Sequence, residues 1–460
     1  MKREVFLTFV PMLACAPGLP GSVNRPWATV SFVEKTPLPA GLAVEKYRLS
    51  NGLGVLLIKD ASAPVIAFQQ WFRVGSRDER EGRTGIAHLF EHLMFKETKN
   101  MKDGEFDKTL EGLGGNINAS TWLDWTFYRS NLHRDKLELL TRMEADRAEN
   151  LILNQKQLDT ERQVVMNERR YRVDNSVPGA MYEELYRRAF TKHPYRWPTV
   201  GWMNDLKQIS VKDCPDFYRQ YYAPNNNTVV VVGDFQTDEM LWLIRKYFGH
   251  QQPSKIARTD QPDEPAQTEE RRVVVKKPIT AEKWLAGFRM PAPSDADYWA
   301  LQVANLVLFG GPSSRLYRKL ITELEMAAEI EGWPSPFRDA SLFELMVSMK
   351  AGKPAATAEP IVEAEIAKVA EGGITAGELS RAKNRVELAS VTALSTMSGK
   401  AYLIGDAETT HGDYKKGLTV LDKIRAVTGD DVKRAVARVF RKANRTVVLA
   451  VPLAAMGGAK

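Results

Sequence analysis

Apolar residues gather in short blocks near the start of the chain and spread to helical spacing further along. Over 47–59 two such blocks flank Asn51-Gly52, which reads as a hairpin turn, with 54–58 beginning the second strand. Residues 64–74 read as another strand. The period then changes: Ile86, Leu89, Phe90, Leu93 and Met94 recur at three and four, the mark of a helix. A short helix is predicted over 102–112, paired strands over 114–121 and 124–130, and helices over 133–151, 154–173, 176–191 and 210–222. Residues 228–233 form a continuous apolar run, the pattern of a buried strand, and 237–248 a closing helix.

Residues 250–270 are polar and carry three prolines, a linker by composition. After it the grammar repeats. Strands are predicted over 271–277 and 282–289, helices over 298–309 and 313–324, and strands over 326–334 and 341–350. Helices over 357–370, 376–395 and 411–440 follow, then a strand over 446–451. Two halves, each opening on strands and moving to helices, predict an α+β fold made by duplication. The division is 1–42, a leader and an extended Pro/Gly-rich lead-in; 43–250, the first unit; 251–270, the linker; and 271–460, the second unit.

Composition narrows the class only a little. The 460 residues are 44% hydrophobic and 26% charged, ordinary for a globular protein. The net charge of +7 is scattered among acids with no basic stripe, so nucleic acid is not an expected partner. Two cysteines, Cys15 and Cys214, imply no disulfide framework. The first sixteen residues have a basic start and an apolar run, the shape of an export signal. The expected location is the periplasm after leader removal, with the cytoplasm or a lipid anchor at Cys15 as alternatives. No further stretch reaches the length of a membrane span.

The helix at 86–94 carries the candidate chemistry. His88 and His92 are one turn apart on one face, and Glu91 borders that face. Two imidazoles with a free carboxylate beside them make a catalytic zinc kit: ligands, and a base for a water in the open position. The order His-x-x-Glu-His is the inverted form of the common zinc-protease motif. Glu161 and Glu168 lie seven apart, two turns on one helix face. Each is followed by Arg, so these residues alone allow either a third ligand or surface ion pairs.

These residues resemble the pitrilysin/insulinase family of inverted zinc peptidases, which includes the mitochondrial processing peptidase. The resemblance rests on Gly85-Ile-Ala-His-Leu-Phe-Glu-His-Leu-Met-Phe95, Asn118-Ala-Ser-Thr121, His193-Pro-Tyr195 and Gly310-Gly-Pro-Ser-Ser-Arg-Leu316, with Glu168 and Glu161 at the family spacing. It implies a sheet in each half that is mostly antiparallel, with helices on one face. It implies one zinc ion per chain held by His88, His92 and Glu168, Glu91 as general base, and Glu161 as a supporting carboxylate. It also implies that Asn118, Ala119, Ser120 and Thr121 lie on a strand edge that takes up an extended peptide.

One family feature does not match. Where members active alone or as homodimers carry an Arg and, seven residues later, a Tyr, this chain aligns Ile321 and Ala328. Neither side chain can donate a hydrogen bond. The expectation is a zinc endopeptidase subunit for unfolded peptides, working in a closed chamber as a heterodimer whose related partner supplies Arg and Tyr. The alternative is a non-catalytic scaffold of the same fold.

Overall fold

The computed structural model describes residues 27–256, 258 and 261–453; the expected leader, Cys15 included, lies outside them. The described residues form a seven-stranded and a five-stranded sheet. The first sheet uses β1 (Val30–Pro37), β2 (Ala43–Leu49), β3 (Gly54–Lys59), β4 (Val65–Phe72), β5 (Asn116–Thr121), β6 (Thr126–His133) and β7 (Asn227–Gly233), in the order β1-β2-β3-β7-β4-β6-β5. Only the β3–β7 pair is parallel. The second sheet uses β8 (Arg271–Lys277), β9 (Lys283–Met290), β10 (Ala327–Pro334), β11 (Ser341–Met349) and β12 (Arg445–Pro452), in the order β10-β11-β9-β12-β8. There only β12 and β8 run parallel.

Most predicted elements fall where the pattern put them, and two departures are instructive. The lead-in before residue 42 contributes a strand, β1, which pairs with β2 from Val30↔Leu49 onward. Among the described residues its only sheet partner is β2, and Phe32 packs edge-on against Tyr47 at 5.5 Å between ring centres. The helix expected over 411–440 is instead three short ones, Lys415–Leu418, Val420–Ala426 and Gly429–Val439. A longer helix, Met397–His411, precedes them, and no helix was expected over most of it.

That helix changes how the halves fit together. Alternate residues of the first sheet face two different cores. Val55, Leu57, Phe68, Val229 and Val231 pack against helices of their own half. Leu56, Ile58, Ala67, Trp71, Val230 and Val232 pack against Met397, Ala401 and Ile404 of the second half. The second sheet mirrors this. Ala286, Phe288, Leu345 and Val447 face their own helices, while Leu285, Leu342, Met346 and Val448 face Met181, Leu185 and Ala189 on the helix Val177–Ala189 of the first half. Each half therefore covers one face of its sheet, as expected, and lends one helix to the back of the other.

The crossing helix Met397–His411 approaches closely enough to need a glycine. A Cβ at Gly405 would stand 2.2 Å from Nε1 of the buried Trp71 indole, whose N–H donates to Gln69 Oε1 at 2.9 Å. Gly405→Val is expected to destabilise the protein by about 2–3 kcal/mol through overpacking. A lowered denaturant midpoint measures it, and an unchanged midpoint refutes this account of the docking.

The His193-Pro-Tyr195 motif belongs to the same junction. The Tyr195 hydroxyl donates to Asp124 Oδ1 (2.9 Å), and Arg77 bridges Asp124 (2.8 Å) to Asp339 (2.7 Å) on a loop of the second half. His193 Nε2 lies 3.0 Å from Asp339 as well. The group is largely buried, so its charges gain little from solvent and depend on one another.

Candidate metal centre

The helix α1 (Ile86–Leu93) starts at Gly85, which adopts φ +88°, a left-handed conformation that favours glycine. A Cβ there would also stand 2.7 Å from the Val200 carbonyl. The free N–H groups of the first turn are taken by the buried carboxylate of Glu79, which accepts from Gly85 and Ala87, each at 2.8 Å. Burial pushes the Glu79 carboxyl well above the usual carboxylate range, and the two backbone hydrogen bonds act against that rise. Leu89, Phe90 and Leu93 anchor the opposite face in the core, and the Tyr128 hydroxyl donates to the Phe90 carbonyl. These contacts fix the rotation of α1 and point His88 and His92 the other way.

A second helix, Gln155–Arg169, packs beside α1 and supplies the two glutamates. Glu168 Oε2 lies 3.6 Å from His88 Nε2 and 3.4 Å from His92 Nε2. The three donor atoms all fall within 4.8 Å of one another. Tetrahedral zinc with bonds of about 2.0–2.1 Å spaces its ligand atoms by roughly 3.3 Å. The Glu168 oxygen stands near this spacing from both imidazole nitrogens, so two nitrogens and one oxygen fit such an ion.

The remaining groups form a shell around the triad. The other oxygen of Glu168 accepts from Arg172 at 2.9 Å. Glu161 faces His92 Nδ1 at 3.5 Å with one oxygen and holds Lys96 at 2.8 Å with the other. His88 Nδ1 is buried and has no hydrogen-bond partner. Arg172 stands one turn beyond Glu168, an i,i+4 pairing visible in sequence. Lys96 reaches across two helices, and nothing local in the sequence announces it.

The electrostatics suit a cation. Burial pushes His88 down to about 4, so its ring is neutral and able to ligate. For His92 burial also acts downward, but the Glu161 and Glu168 carboxylates outweigh it and carry the ring up to about 9. Burial works to raise Glu168 and Glu161 too, and the histidines and neighbouring Arg172 and Lys96 hold both below the usual carboxylate range. Two ionised carboxylates around His92 thus hold a place for positive charge, which a divalent ion fills better than a proton. Glu161→Gln is expected to weaken metal affinity by about 10–100-fold with the fold intact. Competition against a chromophoric chelator reads this, and unchanged affinity would remove Glu161 from the site.

Glu91 sits between the triad and strand β5. Burial raises its carboxyl, and the neighbouring Thr121 and the charge of His92 counter the rise. Thr121 ends β5, which is the edge of its sheet with β6 as its partner on one side. Asn118 is exposed, Ala119 and Ser120 are half-buried, and Thr121 is buried. The Ala119 N–H is turned onto Asn118 Oδ1 at 2.9 Å. Trp122 follows, 6.3 Å from Trp333 at the end of β10, so the second half stands over this end of the strand. Ile321 lies half-buried against the core of the second half, and Ala328 is exposed on β10.

The chain also has relatives among known proteins. Residues 54–201 match the family described as Insulinase (Peptidase family M16), and residues 208–386 match the Peptidase M16 inactive domain. The chain is 34% identical over 369 residues to the Zinc protease PqqE of Helicobacter pylori, an alignment covering 79% of this chain and 82% of that protein. The crystal structure of a protease from Helicobacter pylori superimposes with a TM-score of 0.86 at 31% identity, over 89% of this chain and 99% of that one. The periplasmic protease PqqL from Escherichia coli shares the fold at 18% identity and a TM-score of 0.72, over 91% of this chain but 48% of that one. The chain belongs to the insulinase family, peptidase family M16, and is a zinc metallopeptidase.

Proposed function

We propose that the chain is the metal-holding subunit of an endopeptidase that cleaves unfolded peptides inside a closed chamber. The observation that carries the reading is the convergence of His88, His92 and Glu168 within 4.8 Å, with Glu91 placed between them and the end of β5. His88, His92 and Glu168 hold one zinc ion. When bound, zinc supplies a Lewis acid for the scissile carbonyl and for activating water. Glu91 takes a proton from the attacking water and returns it to the departing amine. Glu161 orients the His92 ring, and Arg172 fixes Glu168. An extended peptide adds to the free edge at Asn118–Thr121, replacing the Asn118 contact on Ala119, so main-chain bonds place the scissile carbonyl.

The partner is a related chain that contributes Arg and Tyr donors where this one has Ile321 and Ala328. Support comes from the fold of PqqL, in which this chain matches about half of a longer chain. The export-like leader, and the periplasmic location in PqqL's name, support a periplasmic enzyme. Among the described residues no helix is long and apolar enough to cross a membrane.

Metal analysis tests the reading directly. The purified chain is expected to hold zinc at close to one ion per chain, and His88→Ala to lose it while retaining the native circular dichroism spectrum. A metal-free native protein would point to the scaffold instead.

A further inference from the structure

The first sheet carries a second concentration of charge, on the face away from α1. A cavity of about 290 Å³ opens where β3 and β7 begin and β4 ends. Trp71, two residues before Arg73, faces the crossing helix, so the cavity lies on that side of the sheet. Three separate parts of the chain wall it: Arg48, Arg73 and Thr228 from the first sheet and its margins, Arg258 from the linker, and Glu408 from the crossing helix.

The charges there do not balance. Both oxygens of Glu408 are occupied by Lys46, at 2.7 and 2.9 Å. Arg258 donates to the Arg73 carbonyl at 3.0 Å and to Asn226 Oδ1 at 2.5 Å, and the carboxylate nearest it, Asp78, stands at 3.7 Å. Arg48 and Arg73 make no ion pair with any described residue. Arg73 Nε is buried with no hydrogen-bond partner, an arrangement that costs stability unless something outside the chain completes it. Burial first, and then the charges of Arg258 and Arg338, push the Arg73 guanidinium down to about 10. Guanidinium forks match oxyanions in geometry as well as charge, and the volume is at the lower end of small-ligand sites.

We propose that this cavity binds a compact oxyanion of the phosphate class, held by Arg73 with Arg48 and Arg258, and that the anion fastens the linker and the crossing helix to the first sheet. The site is independent of the zinc chemistry, since it opens on the opposite face of the sheet from α1. It concerns how the two halves are held together.

Thermal unfolding of the full chain in inorganic phosphate, against chloride at equal ionic strength, tests it. A saturable rise in midpoint with phosphate is expected, with affinity weakened about tenfold or more in Arg73→Met and in Arg258→Met. Arg258 is exposed, so its variant keeps the test sound if Arg73→Met fails to fold. A nucleoside monophosphate separates the sources: tighter binding than phosphate assigns a phosphate ester, and equal binding assigns the free ion. Chloride matching phosphate, acetate alone raising the midpoint, or both variants keeping the full phosphate response would each overturn the proposal.

Discussion

Glu91→Gln is expected to lower peptide cleavage by about 10³-fold while leaving zinc bound. The substitution keeps the side chain's size and its contact with Thr121 but removes the basic oxygen. His88, His92 and Glu168 are untouched, so the metal content stays at the native level. The separation of the two readouts is what identifies the role. Loss of both activity and zinc would make Glu91 a structural member of the metal site, and retained activity would require a different base. Removing Glu161 is expected to do the reverse, lowering metal affinity before it touches the proton transfer. Assay of both variants at saturating zinc distinguishes them, because excess metal rescues Glu161→Gln and not Glu91→Gln.

The chain purified alone is expected to cleave peptides about 10²–10³-fold more slowly than its complex with the partner, the usual effect of a missing oxyanion donor. Ile321 and Ala328 have no polar side-chain atoms to offer. Arg315, Tyr317 and Arg318 lie nearby but at other offsets: Arg315 is held by Glu378 at 2.6 and 2.7 Å, and Arg318 is exposed, 4.0 Å from Glu323. Arg172 is close to the metal centre but spends its guanidinium on Glu168. Affinity capture from the native cell, followed by kcat measurement with and without what co-purifies, gives the ratio. Full activity from the lone chain, abolished by Glu91→Gln, would sink the requirement for a partner.

The parts of this architecture that were legible in sequence are those specified locally. The Asn51-Gly52 hairpin and the helix Thr237–Phe248 each carry their own turn or periodicity. His88, Glu91 and His92 declare themselves because one helical turn brings them together whatever the rest of the chain does. Glu168 needed the family spacing, since its approach to the histidines depends on the packing of two helices. The helix Met397–His411 was missed for a physical reason. Its buried residues include Met397, Ala401, Ile404, Gly405, Ala407, Thr409 and Thr410, which run around much of its circumference. A helix clamped on several sides shows no clean polar face, and amphipathic period is the signal that sequence reading relies on. β1 escaped similarly, being an edge strand beside Pro37, Pro39 and Gly41 whose burial pattern is mostly exposed. The exchange of helices between halves has no local signature at all.

That exchange sets an order in which the chain completes its fold. The first sheet is complete when Gly233 has been made, but the apolar row of Leu56, Ile58, Trp71, Val230 and Val232 waits for Met397–His411 to cover it. Until then the folding chain displays a bare hydrophobic sheet, and holding chaperones are expected to bind there. A transcript truncated before residue 397 therefore yields not a smaller enzyme but an aggregation-prone fragment, even though every candidate metal-binding residue is already in it.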